Sequence, residues 1–220
     1  MIFSLDIETS GLAALDDWCT VVGMMTGYGT MQFSVPAKLW REDPVNAELL
    51  TLQNFSAYLD TFLTTFPLAE MITFNGQGFD IPFLKTRFAK HGLPTHNLDL
   101  MAANHTDLSL FTYGVMKKYI SKDDACHKFC NLYIPRKTEG LYCARIYKFL
   151  CVTDDQHYEN LQHNCIDLAA TLRFREGLAQ FSDFNHWLET KGNDAPKGIT
   201  LAGNAPRGEE SVKSAIGMKP

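Results

Sequence analysis

Short apolar runs separated by glycine-containing segments dominate the first 35 residues of the chain. The runs at residues 1–8 (MIFSLDIE), 20–26 (TVVGMMT) and 28–35 (YGTMQFSV) have the length and composition of β-strands. They predict an antiparallel meander of three strands. Two further apolar runs, at residues 70–75 (EMITFN) and 97–101 (NLDLM), predict a fourth and a fifth strand.

Helical periodicity follows in the rest of the chain. Apolar residues recur at three- and four-residue intervals between residues 46 and 66, which predicts a long amphipathic helix. A second helix is expected after the strand at 70–75 and ends near Lys90, before Gly92 and Pro94. Further helices are predicted near residues 111–120, 122–131, 140–150 and 155–178. The order of elements predicts an α/β fold with a mixed five-stranded sheet flanked by helices.

The composition indicates one soluble domain. The chain has 220 residues, of which 45% are hydrophobic, and this suffices for one core. We assign residues 1–188 to the domain and residues 189–220, rich in Gly, Pro, Lys and Ser, to a flexible C-terminal tail. No run approaches the roughly 18 apolar residues that cross a bilayer. Six scattered cysteines are typical of reduced thiols, so we expect a cytoplasmic protein without a membrane partner.

Charge and cysteine spacing restrict the possible ligands. The formal net charge of −5 does not attract a polyanion, so nucleic-acid binding would require a local basic surface or bound metal. Cys126 and Cys130 have a spacing that favours core packing over a zinc site. The densest basic region contains interleaved tyrosines, and it suits either a single-stranded nucleic acid or a solvated helical face. Its residues are Tyr113, Lys117, Lys118, Tyr119, Lys122, Lys128, Tyr133, Arg136 and Lys137.

Two acids interrupt the first apolar strand. Asp6 and Glu8 are two residues apart in FSLDIETSG, and side chains at this spacing lie on one face of a strand. Burial of an unpaired charge is costly. The pair therefore indicates either a bound cation or an edge strand with a solvated face.

A second segment, FNGQGFDIPFL at residues 74–84, places Gly76 and Gly78 in a tight turn at the carboxyl end of a strand. Asp80 follows at the start of a helix, where the helix dipole stabilises an anion. Strand ends of this kind are where α/β sheets usually carry ligand sites. An ordinary first-turn or N-cap acid is the alternative.

A third segment, HNCIDLAATL at residues 163–172, places His163 and Asp167 one turn apart on the same helix face. Leucines on the same helix predict that one side of it packs against the core. The acid would then be directed inward, although a surface His/Asp pair is the simpler alternative.

Convergence of the four acids would require divalent cations, because neighbouring carboxylates cannot all ionise unaided. These acids are Asp6, Glu8, Asp80 and Asp167. Oxygen ligands favour Mg²⁺ or Mn²⁺. Two such ions about 4 Å apart support in-line attack of water on a phosphodiester. His163 is the candidate general base, since imidazole titrates near neutral pH.

The three segments DIET (6–9), FNGQGFDIPFL (74–84) and HNCID (163–167) resemble the three motifs of the DEDD superfamily of 3′→5′ exonucleases, which are DnaQ-like and have a ribonuclease H-like fold. They are especially similar to the proofreading domains of family B polymerases and to the YprB-like predicted ribonuclease H-like branch. The resemblance spans about residues 2–175, and the order and spacing of the motifs agree.

This resemblance implies specific roles. It implies metal ligation by Asp6, Glu8, Asp80 and Asp167 and water activation by His163. It also implies substrate contacts from Thr9, Asn75 and Phe79, and a more distant position near the site for Asp99. EGLYCARIYKFL, at residues 139–150, resembles the helix before the third motif in the YprB-like branch.

One position departs from the superfamily pattern. Members carry either a tyrosine separated from the last aspartate by three residues or a histidine separated from it by four. His163 combines a histidine with the three-residue spacing. Its reach to the attacking water therefore differs from that of tyrosine.

The sequence favours a metal-dependent 3′→5′ exonuclease that hydrolyses phosphodiester bonds at single-stranded DNA or RNA 3′ ends and uses two Mg²⁺ or Mn²⁺ ions. One alternative is a nucleic-acid binding module that keeps the fold without cleaving. Another is an enzyme that uses the same metals on internal bonds of RNA–DNA hybrids or on small phosphodiesters. No particular protein partner is predicted.

Overall fold

One mixed sheet organises the chain. The computed structural model describes residues 1–135 and 140–190, and within them five strands form a sheet in the order β3-β2-β1-β4-β5. β2 pairs antiparallel with β1 and β3, whereas β4 pairs parallel with β1 and β5. The predicted mixed five-stranded sheet is therefore confirmed. The strands are β1 (Ile2–Thr9), β2 (Cys19–Thr26), β3 (Gly29–Phe33), β4 (Glu70–Thr73) and β5 (His105–Asp107).

The described residues also form nine helices. None of those helices is long and apolar enough to cross a membrane. The predicted tail at 189–220 lies outside the described residues, except for its first two positions. The helices are α1 (Ala37–Glu42), α2 (Pro44–Thr65), α3 (Asp80–Lys90), α4 (His96–Ala103), α5 (Leu108–Met116), α6 (Lys122–Cys130), α7 (Gly140–Lys148), α8 (Asp154–Leu178) and α9 (Ser182–Glu189).

The fifth strand lies later in the chain than predicted. Residues 97–101 belong to α4, and only the short segment His105–Asp107 pairs with β4. Leu98 and Met101 are both buried, which is the three-residue spacing of a helix. Asp99 is exposed on α4, and its carboxylate lies 2.6 Å from Lys85 Nζ. The strand position implied for Asp99 is therefore wrong.

Helices cover both faces of the sheet. On one face, the apolar side of β1 packs in a core with α2 and α3, which bury Phe55 and Phe83. On the other face, α8 lies over the polar side of β1, where the Ser4 hydroxyl donates to the Leu168 carbonyl over 3.0 Å. Removal of apolar area from water stabilises both layers by about 25 cal/mol per Å². The polar side chains of β1 are therefore enclosed between the sheet and α8.

A glycine on β2 allows α8 to approach the sheet. Gly23 is the β2 partner of Asp6 in the antiparallel register. A Cβ atom at Gly23 would lie 2.0 Å from Asn164 Oδ1 and 2.6 Å from Leu168 Cδ1. Neither distance is possible between non-bonded atoms, so a larger residue at this position would displace the buried side chains of Asn164 and Leu168. The close approach brings the middle of α8 next to Asp6.

Candidate functional site

The first and second predicted motifs meet where β1 extends beyond β4. β4 pairs with β1 only over Ile2–Ser4, so β1 continues beyond the end of its parallel neighbour. There the Ile7 amide donates to Asp80 Oδ1 over 3.1 Å. Asp6 and Glu8 flank this amide in the chain. The hydrogen bond therefore fixes Asp80 beside the two acids of β1.

A tight turn delivers Asp80 to this position. Asp80 is the first residue of α3 and is buried. In the preceding turn, the Gly76 amide donates to Thr73 Oγ1 over 3.0 Å. A Cβ atom at Gly76 would lie 2.4 Å from the same oxygen, so only glycine fits. The strand end and the helix start are thus held together closely.

α8 supplies the third motif. A capping box formed by Thr153 and Gln156 fixes the start of this helix. His163 and Asp167 lie one turn apart and are both buried, with 6% and 8% of their surface exposed. Nδ1 of His163 is buried and has no hydrogen-bond partner among the described residues. Both side chains therefore belong to the interior rather than to a solvated helix face.

Lys122 connects the first and third motifs. Its ammonium lies 3.0 Å from Asp6 Oδ1 and 3.0 Å from Asp167 Oδ2, and only 10% of its side chain is exposed. The sequence interpretation grouped Lys122 with a basic region suited to a single-stranded nucleic acid or to a solvated helical face, and the enclosed position of Lys122 excludes the solvated face for this residue. A cation at the first residue of a helix is unfavourable for the helix dipole. That local misfit is the sequence signal for a specific acidic partner.

The acids raise one another's affinity for protons. Burial raises the pKa of Asp6, and the nearby Lys122 ammonium partly offsets this effect. Burial, and then the charges of Asp6 and Asp167, raise the pKa of Glu8 well above its ordinary value. Burial, and then the charge of Asp6, raise the pKa of Asp80 to about 8. With all four acids ionised, the site would carry more negative charge than Lys122 neutralises, so its acids keep their protons to higher pH than isolated carboxyls do.

The arrangement of the four acids bears on whether they suit a divalent cation. Within the described ranges, no three His, Cys, Asp or Glu side chains are spaced as ligands of a single ion. Lys122 instead occupies the space between Asp6 and Asp167. The donor set nevertheless fits a hard cation, because its acids are largely enclosed and carboxylate oxygens are the preferred ligands of Mg²⁺ and Mn²⁺.

The implied substrate residues lie around the same strand ends. Thr9 ends β1, and its hydroxyl donates to the Gly11 carbonyl over 2.6 Å. Asn75 is exposed and has a left-handed backbone with φ of 70°. Phe79 is half-buried directly before Asp80, with its ring 5.4 Å from that of Phe83. Their backbone positions border the carboxylates.

Asp107 is a structural residue of this site that the sequence interpretation missed. Its carboxylate accepts from the amides of Asn75 (2.8 Å) and Gln77 (2.9 Å), and from that of Ser109 (3.0 Å) as the N-cap of α5. It therefore ties the turn before Asp80 to the end of β5. Its sequence signal is an acid and a serine two residues apart at a helix start.

An exposed aromatic pair lies close to Lys122 in the chain. The rings of Tyr113 and Tyr119 are 4.6 Å apart, and both are exposed. Lys117 and Lys118 are exposed between them. Arg136 and Lys137, which the sequence interpretation assigned to the same basic region, lie outside the described residues.

Comparison with known proteins agrees with the observed fold. A family model described as the RNase_H superfamily matches residues 3–179. The structure is similar to that of the family B DNA polymerase from the hyperthermophilic archaeon Pyrobaculum calidifontis, with a TM-score of 0.61 and 16% sequence identity. The match covers 81% of this chain and 24% of the polymerase chain, so this chain spans about a quarter of that protein. No curated protein matches the sequence.

The family match covers most of the residues that build the sheet and all of those that build the acidic site. The polymerase similarity concerns the fold alone. Together with the mixed sheet order, these findings confirm the ribonuclease H-like fold that the three motifs implied. The chain belongs to the RNase H superfamily.

Proposed function

We propose that the protein is a metal-dependent 3′→5′ exonuclease that hydrolyses phosphodiester bonds at single-stranded DNA or RNA ends. One observation carries the proposal. Three segments distant in sequence enclose four carboxylates, and one ammonium lies between two of them. Such an arrangement is costly in a protein interior unless a cation completes it. Membership of the RNase H superfamily supports nuclease chemistry at this position.

The four acids would hold the metal. Asp6, Glu8, Asp80 and Asp167 come from β1, α3 and α8, so an ion bound to them would be fixed by three separate elements. When bound, two Mg²⁺ or Mn²⁺ ions supply an activated water and stabilise the leaving oxygen. Because most of this carboxylate surface is withdrawn from solvent, the electrostatic effect of each acid is stronger than on the surface.

His163 is the proposed general base. It lies one turn from Asp167, and its buried Nδ1 has no partner within the described chain. A neutral imidazole with an unused nitrogen can accept the proton of the attacking water. Its three-residue spacing from Asp167 keeps both side chains on the same helix face.

Lys122 has a supporting electrostatic role. Its ammonium lowers the pKa of Asp6, against the effect of burial. It also contacts Asp167 Oδ2. Lys122 therefore favours the ionised form of Asp6 before any metal binds.

Digestion of labelled oligonucleotides tests the proposal. A single-stranded DNA and a matching RNA with 5′ labels are incubated with Mg²⁺, with Mn²⁺ or with EDTA. We expect stepwise shortening from the 3′ end that EDTA stops and that Asp6→Ala reduces by roughly 10³-fold or more, since a metal ion contributes several kcal/mol to the transition state. Glu159→Ala, which changes an exposed acid of α8, is the matched control.

Two modified substrates define the end requirement. A chemically blocked 3′ end should prevent digestion, whereas a blocked 5′ end should not. Circular single-stranded DNA should remain intact. Cleavage of the circle would instead indicate an endonuclease, and binding without cleavage in Mn²⁺ would indicate a nucleic-acid binding module. Metal-dependent shortening that survives Asp6→Ala would contradict the assignment of the site.

A further inference from the structure

A buried amide lies between the two catalytic candidates of α8. Asn164 is completely buried, which is costly for an amide unless its donors and acceptor are satisfied. Its Nδ2 donates to Asp6 Oδ2 over 3.0 Å and to the Asp6 carbonyl over 3.1 Å. The other oxygen of the same carboxylate, Oδ1, contacts Lys122. Each oxygen of Asp6 therefore has its own donor.

Gln32 on β3 determines which way the Asn164 amide faces. Nε2 of Gln32 donates to the Leu161 carbonyl over 2.7 Å, and a carbonyl can only accept. The same Nε2 donates to Asn164 Oδ1 over 3.0 Å. Since the Asn164 oxygen is engaged by Gln32, its nitrogen must face Asp6. The Leu161 carbonyl of α8 therefore sets the direction of each hydrogen bond from Gln32 through Asn164 to Asp6.

The absence of a side chain at Gly23 leaves space for Asn164. Asn164 Oδ1 would be 2.0 Å from a Cβ atom on Gly23, the residue paired with Asp6 on the neighbouring strand. The amide therefore lies directly against the sheet, between β3 and β1. Such a contact has little freedom to rotate or to admit water.

We propose that Gln32 and Asn164 are positioning residues for the metal-binding carboxylate of Asp6. Gln32 orients the amide of Asn164, and Asn164 fixes Asp6 Oδ2, so that the carboxylate is presented to a divalent cation in one orientation. This inference rests on the proposed function, because the hydrogen bonds from Gln32 through Asn164 to Asp6 orient a ligand of the same metal site. Hydrogen-bonding partners of metal ligands typically change metal affinity by 10- to 100-fold when removed.

The substitution Gln32→Glu separates orientation from charge. Glutamate has nearly the shape of glutamine, but its carboxylate donates to neither the Leu161 carbonyl nor Asn164 Oδ1. The Asn164 amide then inverts to donate to Glu at this position, and its oxygen faces the Asp6 carboxylate. A simple charge effect would strengthen cation binding, because the substitution adds a negative charge. The hydrogen bonds from Gln32 through Asn164 to Asp6 predict the opposite, a roughly tenfold weaker affinity for the cation.

Mn²⁺ titration followed by electron paramagnetic resonance measures this affinity without a substrate. The full chain is studied at pH 8 as wild type, Gln32→Glu, Asn164→Ala and the double variant. Gln53→Glu, an isosteric change at an exposed position of α2, is the matched control. Thermal unfolding in EDTA is recorded for each protein, so that a loss of folding is separated from a loss of metal affinity.

We expect Gln32→Glu and Asn164→Ala each to weaken Mn²⁺ binding about tenfold, with no further loss in the double variant, because Gln32 acts only through Asn164. If Asn164→Ala does not fold, the comparison of Gln32→Glu with Gln53→Glu decides alone. Unchanged or tighter binding by Gln32→Glu, or additive losses in the double variant, would overturn the inference while leaving the proposed function intact. A wild-type protein that binds no Mn²⁺ would overturn both.

Discussion

Two buried charge clusters in this protein are built in opposite ways. In the first, Glu48 of α2 is completely buried, and its carboxylate contacts the Arg87 guanidinium, His91 Nε2 at 2.6 Å and the Cys19 amide at 2.7 Å. One carboxylate thus has several donors. In the second, four acids lie close together, and the Lys122 ammonium contacts two of them, Asp6 and Asp167, each at 3.0 Å.

The difference distinguishes a cluster that holds the fold together, around Glu48, from a candidate functional site, around Lys122. The Glu48 cluster joins α2 to α3, and Arg87 also donates to the Ala14 carbonyl over 3.0 Å, in the loop that follows β1. Its charges are compensated within the protein, as structural buried charges must be. At the other cluster, the Lys122 ammonium contacts Asp6 and Asp167, and within the described residues neither Glu8 nor Asp80 has an ion pair. A divalent cation would supply positive charge to these acids.

The largest effect is expected when the Glu48 cluster, whose charges are compensated, is broken. Arg87→Met leaves Glu48 buried without its guanidinium, and removal of one partner of a buried ion pair typically costs about 3–5 kcal/mol. We expect a loss of this size in the free energy of unfolding, measured by urea denaturation. Added Mg²⁺ should not restore it. Recovery by Mg²⁺ would mean that the two clusters do not differ in kind.

A smaller effect is expected at the other cluster. Lys122→Met removes the ammonium beside Asp6 and Asp167, and hydrogen bonds to charged groups contribute about 1.5–3 kcal/mol. We expect a loss of about 2 kcal/mol in EDTA, because both carboxylates can still protonate. Mg²⁺ should recover most of that loss, since the ion replaces the missing positive charge. Lys128→Met, at an exposed position of α6, serves as the control.

The pH dependence of stability gives the smallest expected effect. The pKa of Asp80 rises from 3.8 to about 8 on folding, so between these values the folded state holds a proton that the unfolded state releases. Stability in EDTA should therefore fall as pH rises from 6 to 7, by roughly 1 kcal/mol. Asp80→Asn should weaken this dependence, because its amide oxygen still accepts from Ile7.

Thermal unfolding at several pH values measures this slope. Saturating Mg²⁺ should flatten it, since the ion stabilises the ionised acids. An EDTA slope that is unchanged in Asp80→Asn would contradict the role assigned to this carboxylate.

The sequence predicted what lies within single segments. The apolar alternation of β1, the turn before Asp80 and the helical spacing of His163 and Asp167 are local patterns, so they are legible without a structure. The fifth strand was misplaced because 97–101 is a short apolar run, which fits a strand and a helix turn equally well.

Contacts between distant segments could not be predicted from these patterns. Lys122 and Asp6 are separated by 116 positions, and Asn164 and Asp6 by 158. From the sequence alone, a lysine at the polar start of a helix and an asparagine within a helix are expected at the surface. Only the close approach of α8 over Gly23, and of α6 to the end of β1, assigns them to the site.

Anomalous scattering from crystals soaked in Mn²⁺ tests the central claim most directly. The account predicts anomalous peaks bounded by carboxylate oxygens of Asp6, Glu8, Asp80 and Asp167, with the Lys122 ammonium displaced from at least one of its two acidic partners. Crystals of Asp6→Ala should lose the peaks. Mn²⁺ bound elsewhere, with Lys122 still bridging Asp6 and Asp167, would contradict the account.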